Sequence, residues 1–266
     1  FLGLGRAYKI LVYLSFLLPP FLILAAGRKF GLPFRESAAA AIATVFFWRL
    51  DNTFNGTDGG VAGFVGFGMF TFALACFLAV LFVAVFYRYT REGRRGDLVL
   101  LFLLAPLLVL LHLFSALIVA LPLLVIALAF RPRRLLPYAA VLILCAAWTL
   151  ALNLFWIRPF LAFRHWTTGN PANLQNFAIT LQYFLVRGGA RSLPLLLFFS
   201  LIGLCRRDRF PRALAAALAA GAVFLLLLST VGAGASSLIA SMEPHRFLGP
   251  AKVLLLVPAA AGALSA

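Results

Sequence analysis

Acidic side chains are scarce in this chain: 7 Asp and Glu stand against 23 Lys and Arg over 266 residues, a net charge of +16. Histidine and cysteine number three each and methionine two. So thin a supply of ligands and nucleophiles narrows the chemistry. Cys76, Cys145 and Cys205 match no metal spacing and read as small apolar packing residues. There is no Walker loop, no Cys/His zinc spacing and no G-x-S-x-G elbow. No signal-peptide pattern, internal repeat, soluble domain or flexible linker is visible. The apolar runs lack period-2 alternation, which argues against a β-barrel.

What the chain has in excess is hydrocarbon. It is 64% hydrophobic and only 11% charged, with a mean hydropathy of +1.05. A soluble domain is about half apolar and about a quarter charged. A bilayer core of ~30 Å is crossed by ~20 helical residues, and helices satisfy their own backbone hydrogen bonds in lipid. The runs predict spans over 8–26, 61–87, 135–157 and 213–231, with shorter helices over 37–50 and 192–204 and a last span opening at 253. Pro19 and Pro20 should kink or interrupt the first span, and Ser37 is a candidate N-cap. The uninterrupted stretch 98–130 would be ~50 Å long as one helix, too long for one comfortable crossing. Two short helices breaking near His112 fit better. The expected fold is all-α, a polytopic bundle of about 7–9 transmembrane or half-spanning helices. It forms one transmembrane domain over 1–266. A chain that starts at Phe1 without Met and ends inside an apolar run reads as a segment truncated at both ends.

In a soluble protein a charge of this sign would suggest nucleic acid. Here it fits short cytoplasmic turns held by the positive-inside rule. Placing turns 28–36, 88–97, 131–134 and 206–212 inside puts fourteen basic residues there and nine on the other side. Glu36, Glu92, Asp97 and Asp208 then mix with arginine inside. Asp51, Asp58 and Glu243 fall outside, as do all three histidines, His112, His165 and His245.

Four constellations at that outer face could carry chemistry. In the loop 51–60, Asp51 and Asp58 could act as general base or hold a divalent cation, and Gly56, Gly59 and Gly60 admit close approach of a phosphate or sugar. The plainer reading is that Asp51 ends one helix and Asp58 caps the next. Glu243-Pro244-His245-Arg246-Phe247 joins an acid, an imidazole and a guanidinium; arginine suits phosphate and histidine moves protons. Its plainer reading is an interfacial arginine beside a proline turn. His112 sits in an apolar run, where ionisable groups are costly and often functional, although at a hairpin end the cost is small. Arg164-His165-Trp166 fits the interfacial aromatic belt as well as it fits a binding site.

The order is span, basic turn, short helix, Asp/Gly loop, long span and basic turn. A short helical hairpin with Leu111-His112-Leu113-Phe114 follows, and finally Glu243-Pro-His-Arg-Phe247. This order resembles bacterial multi-spanning proteins of the GT-C glycosyltransferase superfamily. Within it the chain is most similar to the membrane family labelled "6-pyruvoyl-tetrahydropterin synthase-related". Nothing in it resembles the soluble pterin enzyme. The resemblance implies a bacterial inner-membrane protein that transfers a sugar from a polyprenyl-phosphate donor at the extracytoplasmic face. It also implies a carboxylate base in the first external loop, sometimes with a divalent cation such as Mg or Mn. That loop would lie upstream of Phe1. On this reading Asp51, Asp58 and Glu243 are candidate catalytic acids. His112, His165, His245 and Arg246 are candidate substrate-binding residues, Arg246 for the donor phosphate. The partners are the bilayer and the lipid-linked sugar, with no nucleic acid. A transporter or flippase and a non-catalytic membrane scaffold are the alternatives.

Overall fold

The computed structural model describes residues 3–50, 70–130, 135–163, 192–205, 211–232 and 244–264. Among them there are nine α-helices and no strand. They are α1 (Leu4–Lys29), α2 (Phe34–Leu50), α3 (Phe70–Glu92), α4 (Arg95–Leu111), α5 (Ser115–Phe130), α6 (Leu135–Ala162), α7 (Ser192–Cys205), α8 (Arg212–Thr230) and α9 (Leu248–Ala263). A 3-10 turn, Pro244–Phe247, leads into α9. Four helices, α1, α3, α6 and α8, are long and apolar enough to cross a membrane, and α5, α7 and α9 are shorter apolar helices. The all-α membrane architecture expected from the hydropathy is the one observed.

α3 and α9 form the centre. Every residue from Leu248 to Gly262 is buried, and α3 is buried along nearly its whole length. α7, α8 and α2 pack around α9, while α1 and α4 flank α3. α6 lies at the margin, with Ile143, Leu150 and Phe155 exposed. Apolar side chains cost nothing when they face lipid, so the burial gradient separates centre from periphery without any change in hydropathy. Small residues set the closest contacts, as is usual between membrane helices. A Cβ on Gly262 would overlap the Phe199 carbonyl oxygen, and one on Gly203 would lie 2.6 Å from that of Pro258.

The interruption expected at Pro19 and Pro20 and the cap expected at Ser37 are both corrected. α1 runs as one helix through both prolines. Proline is tolerated in membrane helices where neighbouring elements support the freed backbone groups, and α2 and α3 both pack against α1. Ser37 is not an N-cap. It lies inside α2, fully buried, and its hydroxyl donates to the Pro33 carbonyl at 2.9 Å. Pro33 precedes the first helical residue and starts the helix in its place.

At one end of the bundle Asp97, with no exposed side-chain surface, accepts three charge-assisted hydrogen bonds. Arg88 Nε donates to Oδ2 at 2.7 Å, an Arg88 terminal nitrogen to Oδ1 at 2.6 Å, and Lys29 Nζ to Oδ1 at 3.0 Å. The end of α1, the end of α3 and the start of α4 are thereby tied together. The turns 28–36 and 88–97 therefore share one end of the bundle, as the charge pattern predicts. Gly93, at φ 67°, ends α3 beside this lock, a left-handed position that favours glycine.

Candidate functional site at the hairpin turn

The stretch 98–130 is a helical hairpin whose break falls at His112. The His112 backbone is extended, and its N–H still caps α4 by donating to the Leu108 carbonyl at 3.0 Å. The Ser115 hydroxyl donates to the same carbonyl at 2.8 Å, and Ser115 N–H to the His112 carbonyl at 3.0 Å. Four residues thus reverse the chain, with the His112 N–H, the Ser115 N–H and the Ser115 hydroxyl all paired.

The imidazole is part of the turn. Its Nδ1 accepts from the Phe114 N–H at 3.3 Å. Accepting there puts the single proton of the neutral ring on Nε2, which is left as a donor. The turn lies between the helices, outside the spanning segments. Burial, aided by the positive charge of Arg246, lowers the His112 pKa from 6.5 to about 4. At neutral pH His112 is therefore an uncharged hydrogen-bond donor.

Aromatic rings hold this end together. The His112 ring lies 4.3 Å from that of Phe72 at the start of α3 and 5.2 Å from that of Phe114. Phe114 lies 6.0 Å from Phe247, the last residue of the 3-10 turn. Arg246, half-buried, precedes Phe247. His112 and Arg246, 134 positions apart in the chain, thus belong to one site. On α3, Phe72 and Arg88 are sixteen residues apart, so the His112 end lies ~24 Å from the Asp97 lock.

A cavity of about 430 Å³ opens beside His112, lined by Val109–Phe114, Phe155, Trp156 and Phe160. The Trp156 indole N–H donates to Asn153 Oδ1 at 2.8 Å, and Asn153 Nδ2 donates to the Thr149 carbonyl at 2.9 Å and the Pro106 carbonyl at 3.2 Å. Asn153 thereby ties α6 to α4. Arg158 is exposed one turn nearer the α6 end and lines a neighbouring cavity that shares Phe155.

Of the residues singled out in the sequence, His112 and Arg246 are brought together. His245 lies in the same 3-10 turn as Arg246. Asp51, Asp58, His165 and Glu243 lie outside the described residues. Among the described residues no three His, Cys, Asp or Glu side chains gather as a metal site.

Sequence reasoning missed Lys252. It counts there as one more basic residue near a membrane surface, yet it lies four residues into α9 and is fully buried. A buried ammonium is stable only with a counter-charge or acceptors around it. Its signal in the sequence is a lone Lys following Leu248-Gly-Pro-Ala251 and heading the apolar run 253–263.

A family model described as the 6-pyruvoyl-tetrahydropterin synthase related domain, a membrane protein, matches residues 3–196. The chain belongs to this family. The match takes in α1 to α6 and the His112 turn. Arg246 and Lys252 of this 6-pyruvoyl-tetrahydropterin synthase related protein lie beyond the matched residues. Searches of curated proteins and of solved structures gave no match.

Proposed function

We propose that the His112 end is the site of a membrane glycosyltransferase of the GT-C type, which moves a sugar from a polyprenyl-phosphate donor to an acceptor at the extracytoplasmic face. The observation that carries the reading is the pairing of a neutral imidazole donor, His112, with the Arg246 cation at a helix break. Both lie on the end of the bundle opposite the Asp97 lock. The bias of fourteen basic residues to nine supports assigning that end to the extracytoplasmic side.

The chemistry follows from charge. When the sugar–phosphate bond breaks, negative charge builds on the leaving phosphate. A guanidinium stabilises that charge by paired hydrogen bonds, and His112 Nε2–H adds a donor already fixed in direction. A carboxylate takes the proton of the acceptor hydroxyl. Asp51, Asp58 and Glu243 are our candidates for that base, a further acid upstream of Phe1 being the alternative. The balance is simple: the anomeric C–O bond to phosphate breaks, the C–O bond to the acceptor forms, and one proton passes to the carboxylate.

The test is transfer of labelled sugar from polyprenyl-phosphate donors to acceptors by the full chain in proteoliposomes. Asp51→Asn, Asp58→Asn, Glu243→Gln and Arg246→Ala are assayed in parallel. We expect transfer, with at least one acid variant and Arg246→Ala lowering it by ~100-fold or more. Lipid-linked sugar that crosses the bilayer unchanged, with no transfer, would refute the enzyme reading and favour a transporter.

A further inference from the structure

We infer that Trp156 is the wall on which the sugar of the lipid-linked donor stacks, and that Asn153 is the positioning residue that fixes its ring. Both assignments rest on the function proposed above.

The case begins with what α6 buries. Tyr138, Cys145, Thr149 and Asn153 form one stripe at helical spacing, and most of the rest of the helix is exposed. Asn153 is the last of the four and keeps 1% of its surface. A buried amide needs partners, and Asn153 divides its bonds between two tasks. Its Nδ2 donates to the Pro106 carbonyl of α4 and to the Thr149 carbonyl, the tie expected of a polar residue between membrane helices. Its Oδ1 accepts from the Trp156 indole one turn along. That second bond adds nothing to the contact between α4 and α6; it fixes a ring. A tryptophan of the interfacial belt keeps its N–H for headgroups and water. Trp156 turns it inward, so what it offers the cavity is its carbon surface. Phe160, 6.3 Å away and edge-to-face, joins it there with Phe155 and Phe114.

The chemistry of these walls selects the occupant. Aromatic faces carry partial negative charge, and the C–H groups of a sugar ring, electron-poor beside oxygen, are drawn to them. A hydrocarbon chain needs only aliphatic walls. The larger cavity between α4, α5 and α6 has such walls, with Phe82 the one aromatic residue among the described residues lining it. The cavity that Trp156 lines also holds His112, whose Nε2–H meets the donor phosphate in the reading above. The sugar bonded to that phosphate falls in the same space, and about 430 Å³ is ample for it. A sugar ring is uncharged, so Asp51, Asp58 and Glu243, which the charge pattern assigns to this end, do not oppose it. Their carboxylates accept hydrogen bonds from sugar hydroxyls.

The test is binding, read without transfer. In the full chain Trp48, Trp148 and Trp166 are changed to Phe, which leaves Trp156 as the one fluorophore of its kind. The probes, added to nanodiscs, are polyprenyl phosphates carrying glucose, mannose or arabinose, and the same lipid without sugar. At least one sugar-bearing lipid should shift the Trp156 emission and bind ~10-fold more tightly than the bare lipid. In the otherwise unaltered chain, with binding read by competition against a labelled polyprenyl phosphate, Trp156→Leu should erase that advantage and Trp156→Phe should keep most of it. Asn153→Leu should lower the melting temperature and also erase the advantage. No advantage for any of the three sugars overturns the assignment, as does an advantage that survives Trp156→Leu. A lowered melting temperature with the advantage intact in Asn153→Leu makes Asn153 an interhelical tie and removes its positioning role. The two readings fail separately. A sugar-dependent advantage without transfer leaves the Trp156 wall standing and removes the glycosyltransferase, whereas transfer without that advantage does the reverse.

Discussion

Asp97→Asn changes little in size and removes one charge from the lock between α1, α3 and α4. The wild-type carboxylate has no exposed surface and accepts bonds of 2.6, 2.7 and 3.0 Å. Breaking a buried ion pair by removing one partner costs about 3–5 kcal/mol. The side chains of Arg88 and Lys29 keep 28% and 15% of their surface, so part of their charge is recovered by solvent. Asn still accepts one hydrogen bond. A loss of about 2–3 kcal/mol is therefore expected. The assay is loss of helicity on titration with a denaturing detergent, with Glu92→Gln as control. Glu92 pairs with Arg94, but the two side chains are 42% and 62% exposed, and an exposed pair contributes only about 0–1 kcal/mol. Burial alone would raise the Asp97 pKa, but the bonds from Arg88 and Lys29 outweigh it and hold the carboxyl below its ordinary 3.8. A depressed acid stabilises the fold above its unfolded pKa and loses that contribution as pH falls through the folded value. The gap between wild type and Asp97→Asn should thus be constant above about pH 4 and close below it. If Asp97→Asn costs no more than Glu92→Gln, the ion pairs do not hold these helix ends together.

His112→Asn keeps an acceptor near the Nδ1 position and should preserve the turn. It loses the Nε2–H donor, so transfer should fall ~10-fold or more in kcat; His112→Gln should retain more activity at greater cost to stability, read by the same denaturation. The lowered His112 pKa means the unfolded chain binds an extra proton between about 4 and 6.5, so wild-type stability should decline as pH falls through that window while His112→Asn does not. Gly262→Ala forces α7 and α9 apart at backbone level and should cost about 1–3 kcal/mol, measured as a lowered melting temperature. Lys252→Met should destabilise by ~3 kcal/mol by orphaning the surroundings of a buried charge, against under ~0.5 kcal/mol for the same change at exposed Lys9.

The hairpin was legible because length is a hard constraint. A 33-residue apolar stretch with arginines at both ends does not fit one crossing, and His112 is its one ionisable residue. The meeting of turns 28–36 and 88–97 was legible too, because the charge bias reports which side a loop lies on. Proline and serine were read less well. Both rules used, that proline breaks a helix and serine caps one, come from water, where freed carbonyls must find partners and helix starts are exposed. Pro19, Pro20 and Ser37 lie instead among packed helices.

Lys252 and Arg246 show where composition stops being informative. Hydropathy treats both as basic residues next to a span, yet one is fully buried and the other sits half-buried beside the His112 turn. What separates them is the position of α9. That helix is no more apolar than α6, which faces outward, so no periodicity marks it as central. Its centrality comes from contacts with α7, α8, α2 and α3, which lie up to 229 positions away in the chain. Because lipid and protein interior are equally apolar, the hydrophobic effect that orders a soluble core cannot say which helix goes inside. Small residues contribute to that here: Gly203 of α7 and Gly262 of α9 let those two backbones meet, and Gly221 of α8 makes room for the Pro122 and Leu254 side chains. Arg246, in the turn that leads into α9, is then brought to the His112 end by packing. That predicts a coupling: bulky substitutions at Gly262, far from Arg246, should impair sugar transfer along with stability, whereas those at exposed Gly5 should impair neither.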